Sequence, residues 1–421
     1  ELAAAGLAED TIVFYFADHG SGMSRNKRWP SNSGLQVPMV VYFPKKWQHL
    51  APKEYSAGAK SDRLVSFVDL APTLLSLIGV QPPEWMQGHA FAGRFQTELQ
   101  PFVYGFRGRM DERYDTVRSV TDGHFVYVRN YMPHLSQGQH VAYQFETPST
   151  RVWRKLYDAG KLTPEQSLFW QEPKAAEELY DLQSDPDEVH NLAAKSEHAA
   201  TLEKMRHAQE ALALKIRDVG LLPEGEIHQR SEGTTPYDMG HDDKLYPVAR
   251  ILKAAGEASS MKADTIAALK AGFADPDNAV RYWSAMGLLM RGSDAVTAAH
   301  DELVKATKDS STYVQVVAHW TLAKFGSDTE RSASLPALVQ LANWSQHNVF
   351  TAMSALNAIG DLGDKAKPIA EQLKTLPKKG ESPDARFSGY VGRLLADLTG
   401  TAAEFEPDAT PQPKKKGKKK K

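Results

Sequence analysis

The chain contains no cysteine, so nothing in its 421 residues can form a disulfide, and thiol usage says little about compartment. No apolar run approaches the roughly 18 residues needed to span a bilayer. The first residue is Glu1 and not Met, so a secretory signal cannot be judged from these residues. Net charge is small, −2, but unevenly spread. Seven of the 50 basic residues fall within Lys414–Lys421, leaving 43 basic against 52 acidic over residues 1–413. No aromatic residue interrupts that run to stack on bases, so it reads as a disordered tail and nucleic acid is not an expected partner. With 42% hydrophobic and 24% charged residues, the remainder has the composition of a globular chain with two or three cores.

What is present is organised around Thr11–Pro44. Ile12–Phe16 is a continuous run of strand formers that suits a strand buried on both faces, as in a parallel sheet covered by helices, and Val37–Phe43 is a second strand. Just past the first comes Asp18-His19-Gly20. Ligands of open α/β sheets bind beyond the carboxyl ends of strands, and a carboxylate with an imidazole can ligate a metal there. The triplet is equally a tight turn relaxed by Gly20. Lys27 lies seven residues before Gly34 and eleven before Pro38, and read alone it is a solvated loop lysine.

The arrangement resembles the sulfatase family of the alkaline-phosphatase superfamily, in which an Asp-Asn or Asp-His pair after a core strand binds the metal. A downstream Lys ahead of Gly-x-x-x-Pro contacts the sulfate. The resemblance implies that Asp18 and His19 are metal ligands and that Lys27 is a catalytic, sulfate-binding cation. Ca²⁺ is implied by hard oxygen ligands, with Zn²⁺ or Mn²⁺ open because of the imidazole. A metal and an ammonium stabilise the charge on the sulfate oxygens while the bridging S–O bond breaks. Two further segments carry the likeness. Asp69-Leu70-Ala71-Pro72-Thr73-Leu74-Leu75 resembles the opening of the last helix of the catalytic domain, and Glu178–Leu182 with Asp185-Pro186-Asp187-Glu188 and Asn191-Leu192 resembles the final strand, turn and helix. Together they cover Thr11 to about Gly220.

There are departures. Asn32-Ser33-Gly34 stands where many relatives have Glu-Gly-Gly, and Gln36 where many have Arg. The family's nucleophile, a formylglycine made from Cys or Ser in Cys/Ser-x-Pro-x-Arg, has no counterpart here, nor has its early Asp-Asp pair. We therefore expect a catalytic domain cut at the front, unable by itself to hydrolyse a sulfate ester.

In chain order, residues 62–80 read as a helix with Val65, Val68, Leu70, Leu74, Leu75 and Ile78 on its apolar face, Asp69 capping or packing, and Gly79 as its stop. Residues 102–106, 116–120 and 124–129 read as antiparallel strands with an Asp122-Gly123 turn. A helix through Leu202, Met205, Ala208 and Leu212 follows, with Asn191 as its cap. The charged stretch 107–115 is either a solvated loop of paired charges or a specificity loop whose Arg107, Arg109 and Arg113 bind an anionic substrate. Beyond residue 247 the pattern is wholly helical, with units ending at Gly292, Gly326 and near Gly363 and Gly400, which resembles HEAT-type repeats. Trp283, Tyr313 and Trp320 fall at core spacing.

The expected fold class is thus α/β, a partial sulfatase-type sheet (1–100), with a small antiparallel sheet and helix (101–222), a linker (223–247), an all-α HEAT-like region (248–402) and the lysine-rich tail (403–421). The expected function is a sulfuric ester hydrolase acting on a sulfated small molecule or glycan, periplasmic or secreted by the resemblance. The alternatives are a phosphodiesterase or phosphonate hydrolase of the same superfamily, and a non-catalytic repeat protein that binds a protein partner or itself.

Overall fold

A computed structural model describes residues 1–20, 22–109 and 111–401, and the lysine-rich tail lies outside them. Strand β1 (Val13–Phe16) and strand β2 (Met39–Tyr42) flank a one-turn helix, α1 (Asn32–Leu35). They pair with each other antiparallel, Val13 opposite Tyr42 and Phe16 opposite Met39. This corrects the reading of β1 as a two-faced buried strand of a parallel sheet, because Tyr15 is 67% and Val40 59% exposed. Strand-forming side chains dictate an extended backbone, but burial on both faces depends on neighbours, and among the described residues β1 pairs only with β2. The other face packs on Phe43, Phe91 and Ala92.

The predicted helix over 62–80 is shorter. A 3-10 turn at Phe67–Asp69 leads into helix α2 (Leu70–Leu77). Asp69 accounts for the start: its carboxylate accepts the N–H of Ser66 at 2.8 Å and of His89 at 2.7 Å. The expected apolar face is divided: Val68, Leu74 and Ile78 are exposed, while Val65 and Leu70 pack on Phe43, Phe91 and Ala92. Thr73 and Ser76 are buried as well, accepting the N–H groups of Phe91 (3.0 Å) and Phe95 (2.8 Å). The loop over residues 89–95 needs acceptors for its amides, and that need orients the helix.

A four-stranded antiparallel sheet follows in the order β3 (Val103–Arg107), β4 (Val117–Thr121), β5 (Phe125–Asn130), β6 (Glu177–Asp181). The β4–β5 turn is at Asp122-Gly123, with Gly123 at φ +88° and the Asp122 carboxylate accepting the N–H groups of His124 and Phe125. Helix α3 (Ala199–Lys215) covers one face through Met205 and Ala208. Asn191 does not cap it. Its side-chain oxygen accepts the N–H of Leu179 (3.0 Å) and Ala193 (2.9 Å), fastening the turn to β6.

The expected linker is folded, with short helices at Glu224–Arg230 and Pro236–Gly240, a fully buried Tyr246 and an Arg230–Asp277 ion pair at 2.9 Å. Beyond it the chain is helical: α4 (Val248–Ser259), α5 (Asn278–Arg291), α6 (Thr312–Phe325), α7 (Asp328–Leu341), α8 (Val349–Asp361) and α9 (Arg386–Leu398), with shorter turns between. Successive helices pack side by side, α4 on α5, α5 on α6, α6 on α8 and α8 on α9. They share the largest core of the molecule, which holds Trp283, Tyr313 and Trp320 as expected. Among the described residues no helix is long and apolar enough to cross a membrane.

Candidate functional site

Asp18 and His19 follow β1 directly. The His19 Nδ1 lies 2.6 Å from the Gly20 carbonyl oxygen, which can only accept, so Nδ1 is the donor of that contact and Nε2 is left facing Asp18. Nε2 stands 3.5 Å from the Asp18 Oδ1, and the Asp18 side chain is 87% exposed. A carboxylate oxygen and an imidazole nitrogen are thus side by side and open to a cation. Gly20 donates to the Gly34 carbonyl at 3.0 Å. A Cβ on Gly20 would come within 2.3 Å of the Ser33 carbonyl oxygen, and one on Gly34 within 2.1 Å of that of Trp29. Only glycine lets the two arms of the loop approach this closely.

The second fastening comes from far along the chain. Glu188, buried and at φ +54°, accepts the N–H of Asn32 (2.9 Å) and Ser33 (3.4 Å) through its carboxylate. Its backbone carbonyl accepts from Arg25 at 2.7 Å. The Asp185-Pro186-Asp187-Glu188 turn therefore braces the segment that holds Lys27 and Gly34.

Lys27 packs over the Tyr143 ring, its Nζ 5.1 Å from the centroid and 3.3 Å from the phenol oxygen. Arg28 lies over the same ring at 4.4 Å, adopts φ +85°, and pairs with Asp111 at 2.7 Å; Asp111 is itself at φ +47°. Two residues in a sparsely populated conformation, joined by one ion pair, hold the backbone beside Lys27. Arg107 completes the hold, donating to the Arg28 carbonyl at 2.9 Å and lying 3.7 Å above the Trp29 ring.

The loop over 107–115 is not solvated: Arg107, Glu112 and Asp115 are each buried to 2% exposure or less. Burial lowers the Arg107 pKa to about 10 against the pull of Asp115, which also pairs with Lys174. Arg109 and Arg113, expected to face substrate, are already engaged by carboxylates. Arg109 pairs with Glu224 beneath Phe387 and Tyr390, and Arg113 with Asp397. Both line a cavity of about 620 Å³ against the helices, a cavity to which Asp18, His19 and Lys27 do not contribute. Of the six expected site residues, the fold sets Asp18 beside His19, directs Lys27 to Tyr143, places Arg107 behind that segment and turns the other two arginines to the helical region. Among the described residues no three His, Asp or Glu side chains converge as a metal cluster.

Residues 1–80 match the family model described as Sulfatase. Over 246 residues the chain is 37% identical to a protein of Formosa agariphila named ulvan-active sulfatase, an alignment spanning 58% of this chain and 40% of that one. It is 30% identical over 226 residues to human N-sulphoglucosamine sulphohydrolase, spanning 49% and 42%. A solved structure described as in complex with its substrate D-glucosamine-2-N,6-O-disulfate aligns over 52% of this chain and 37% of its own at 19% identity and a TM-score of 0.36. The chain spans about two fifths of the length of the curated relatives it matches. The family model over residues 1–80 and these relatives, together with the Asp-His-Gly, Pro-Thr-Leu-Leu and Glu-Leu-Tyr-Asp-Leu segments, make the matched part of the chain similar to the sulfatases.

Proposed function

We propose that this chain carries part of the catalytic apparatus of a sulfuric ester hydrolase acting on a sulfated glycan. The observation that carries the reading is the placement of Asp18 Oδ1 beside His19 Nε2 on a loop that two glycines and Glu188 lock in place. A carboxylate and an imidazole suit a divalent cation: Ca²⁺ by the oxygen donor, Zn²⁺ or Mn²⁺ by the nitrogen. A bound ion would supply Lewis-acid stabilisation of charge on the sulfate oxygens. Lys27 would bind the sulfate, which requires its ammonium to leave the Tyr143 ring for the anion. Arg107 acts from behind by holding the Arg28 carbonyl, and Arg109 and Arg113 position the loop instead of touching substrate. No Cys/Ser-x-Pro-x-Arg motif occurs in the 421 residues, so these residues alone are expected to be inactive. Relatives named for ulvan and for N-sulphoglucosamine favour a glycan substrate, and a polymeric glycan fits a periplasmic or secreted enzyme.

The test uses the chain extended upstream in its own reading frame. Sulfate release from a sulfated oligosaccharide is expected, with a loss of about 100-fold or more in Asp18→Ala, His19→Ala and Lys27→Ala. Release of phosphate from an aryl phosphate with no sulfate release from either an aryl or a glycan sulfate would instead assign a phosphodiesterase or phosphonate hydrolase.

A further inference from the structure

The 620 Å³ cavity lies between the loops around Tyr114, His134 and Leu222 and the helices α5, α6 and α8. Its volume is within the range of roughly 300–1,000 Å³ that small-molecule sites occupy. The rings of Tyr114 and Tyr282 and the side chain of Leu135 give it partly accessible apolar walls, while Trp283, Tyr313 and Trp320 are almost fully packed. The cations on its wall are already matched: Arg109 by Glu224, Arg113 by Asp397, and Lys367 by Asp364 at 3.1 Å. An anionic ligand would therefore have to break an existing pair to gain a partner.

Gln139, Trp283, Tyr313, Trp320 and Asn357 are also hydrogen-bonded within the protein, but three uncharged groups of the wall are not. Tyr114 and Tyr282 line the cavity, and neither hydroxyl has a hydrogen-bond partner among the described residues. Burial raises the pKa of both, so they stay protonated and remain donors. His134, also on the wall, has both ring nitrogens without a partner; burial, then Lys324 and Lys174, lowers its pKa to about 3, so the ring is uncharged. The two phenols are half-buried and open to the cavity, so a hydroxyl unmet by the protein is available to a ligand there.

We propose that this cavity is a second binding site, remote from the Asp18–His19–Lys27 segment, for an uncharged hydroxylated ring the size of one or two sugar units. Aromatic faces meet the apolar faces of such a ring, and the free phenols meet its hydroxyls. The matched charges of the wall select against a sulfated version of the same ligand. The inference stands whether or not the chain takes part in sulfate-ester hydrolysis.

The test titrates the purified chain by calorimetry with the methyl glycosides of glucose, galactose, xylose and rhamnose, with cellobiose, with glucose 6-sulfate and with toluene. At least one neutral sugar is expected to bind, to quench tryptophan fluorescence, and to bind at least about tenfold more tightly than the sulfated sugar. Tyr114→Phe and Tyr282→Phe, which remove only an oxygen, should each weaken that sugar about five- to tenfold without altering the far-ultraviolet circular dichroism. The proposal is overturned if no neutral sugar binds up to about 10 mM. It is equally overturned if the sulfated sugar binds as tightly, if toluene alone binds, or if both variants bind like the parent.

Discussion

At the scale of single residues, the carboxylates of Glu188 and Asp69 and the amide of Asn191 each accept from two backbone N–H groups and so hold this molecule's loops in place. Glu188 satisfies two backbone N–H groups of the Lys27 segment from more than 150 positions away, which its place in a turn motif did not reveal. His134, whose ring nitrogens hold nothing, shows its burial through its titration instead. The folded state keeps it neutral down to about pH 3, while the unfolded chain takes up a proton near its ordinary value of 6.5. Between those values the unfolded state binds more protons, so stability falls as pH drops from 6.5 toward 3, by up to about 1.4 kcal/mol per pH unit. Urea denaturation of the parent and of His134→Gln across that window should show their difference in stability shrinking as pH falls. A difference independent of pH would remove His134 from the account.

At the scale of elements, helix α2 shows what periodicity can and cannot tell. The apolar spacing located a helix there, but it did not tell that Leu74 faces solvent while Leu70 and Leu77 pack inward beside the buried Thr73 and Ser76. Leu74→Gln, at a site 59% exposed, should change stability by no more than about 0.5 kcal/mol. Thr73→Val, which strands the Phe91 amide, should cost about 1–3 kcal/mol. Reversal of that order in chemical denaturation would mean that the Leu74 face is the packed one. The antiparallel strands, the Asp122-Gly123 turn and the glycine-terminated helices were legible because their determinants are local. The Asp18-His19 pair was legible for the same reason. Tyr143 under Lys27, Asp111 against Arg28, and Asp397 against Arg113 were not, since each partner lies tens to hundreds of residues away and no local pattern marks it. The charge-dense stretch 107–115 misled for a related reason: composition cannot distinguish charges paired in water from charges paired in a core.

At the scale of the whole molecule, stability is unevenly distributed. The helices from α4 to α9 share one continuous core with Tyr131 and Met132, which follow β5, whereas β1, β2 and α2 rest on a cluster in which, among the described residues, only Phe43, Phe91 and Ala92 are buried. Hydrogen exchange should therefore find the amides of β1 and β2 opening at much lower free energy than those of α5, α6 and α8. Equal protection in the two regions would contradict this division. The two-stranded sheet also has a practical consequence. Both of its strands are edges, and Tyr15, Phe16, Val40 and Tyr42 stand in water beside them. Concentrated solutions of the isolated chain will consequently be prone to clumping edge to edge, and a lysine at position 40 should prolong shelf life without touching the helical half.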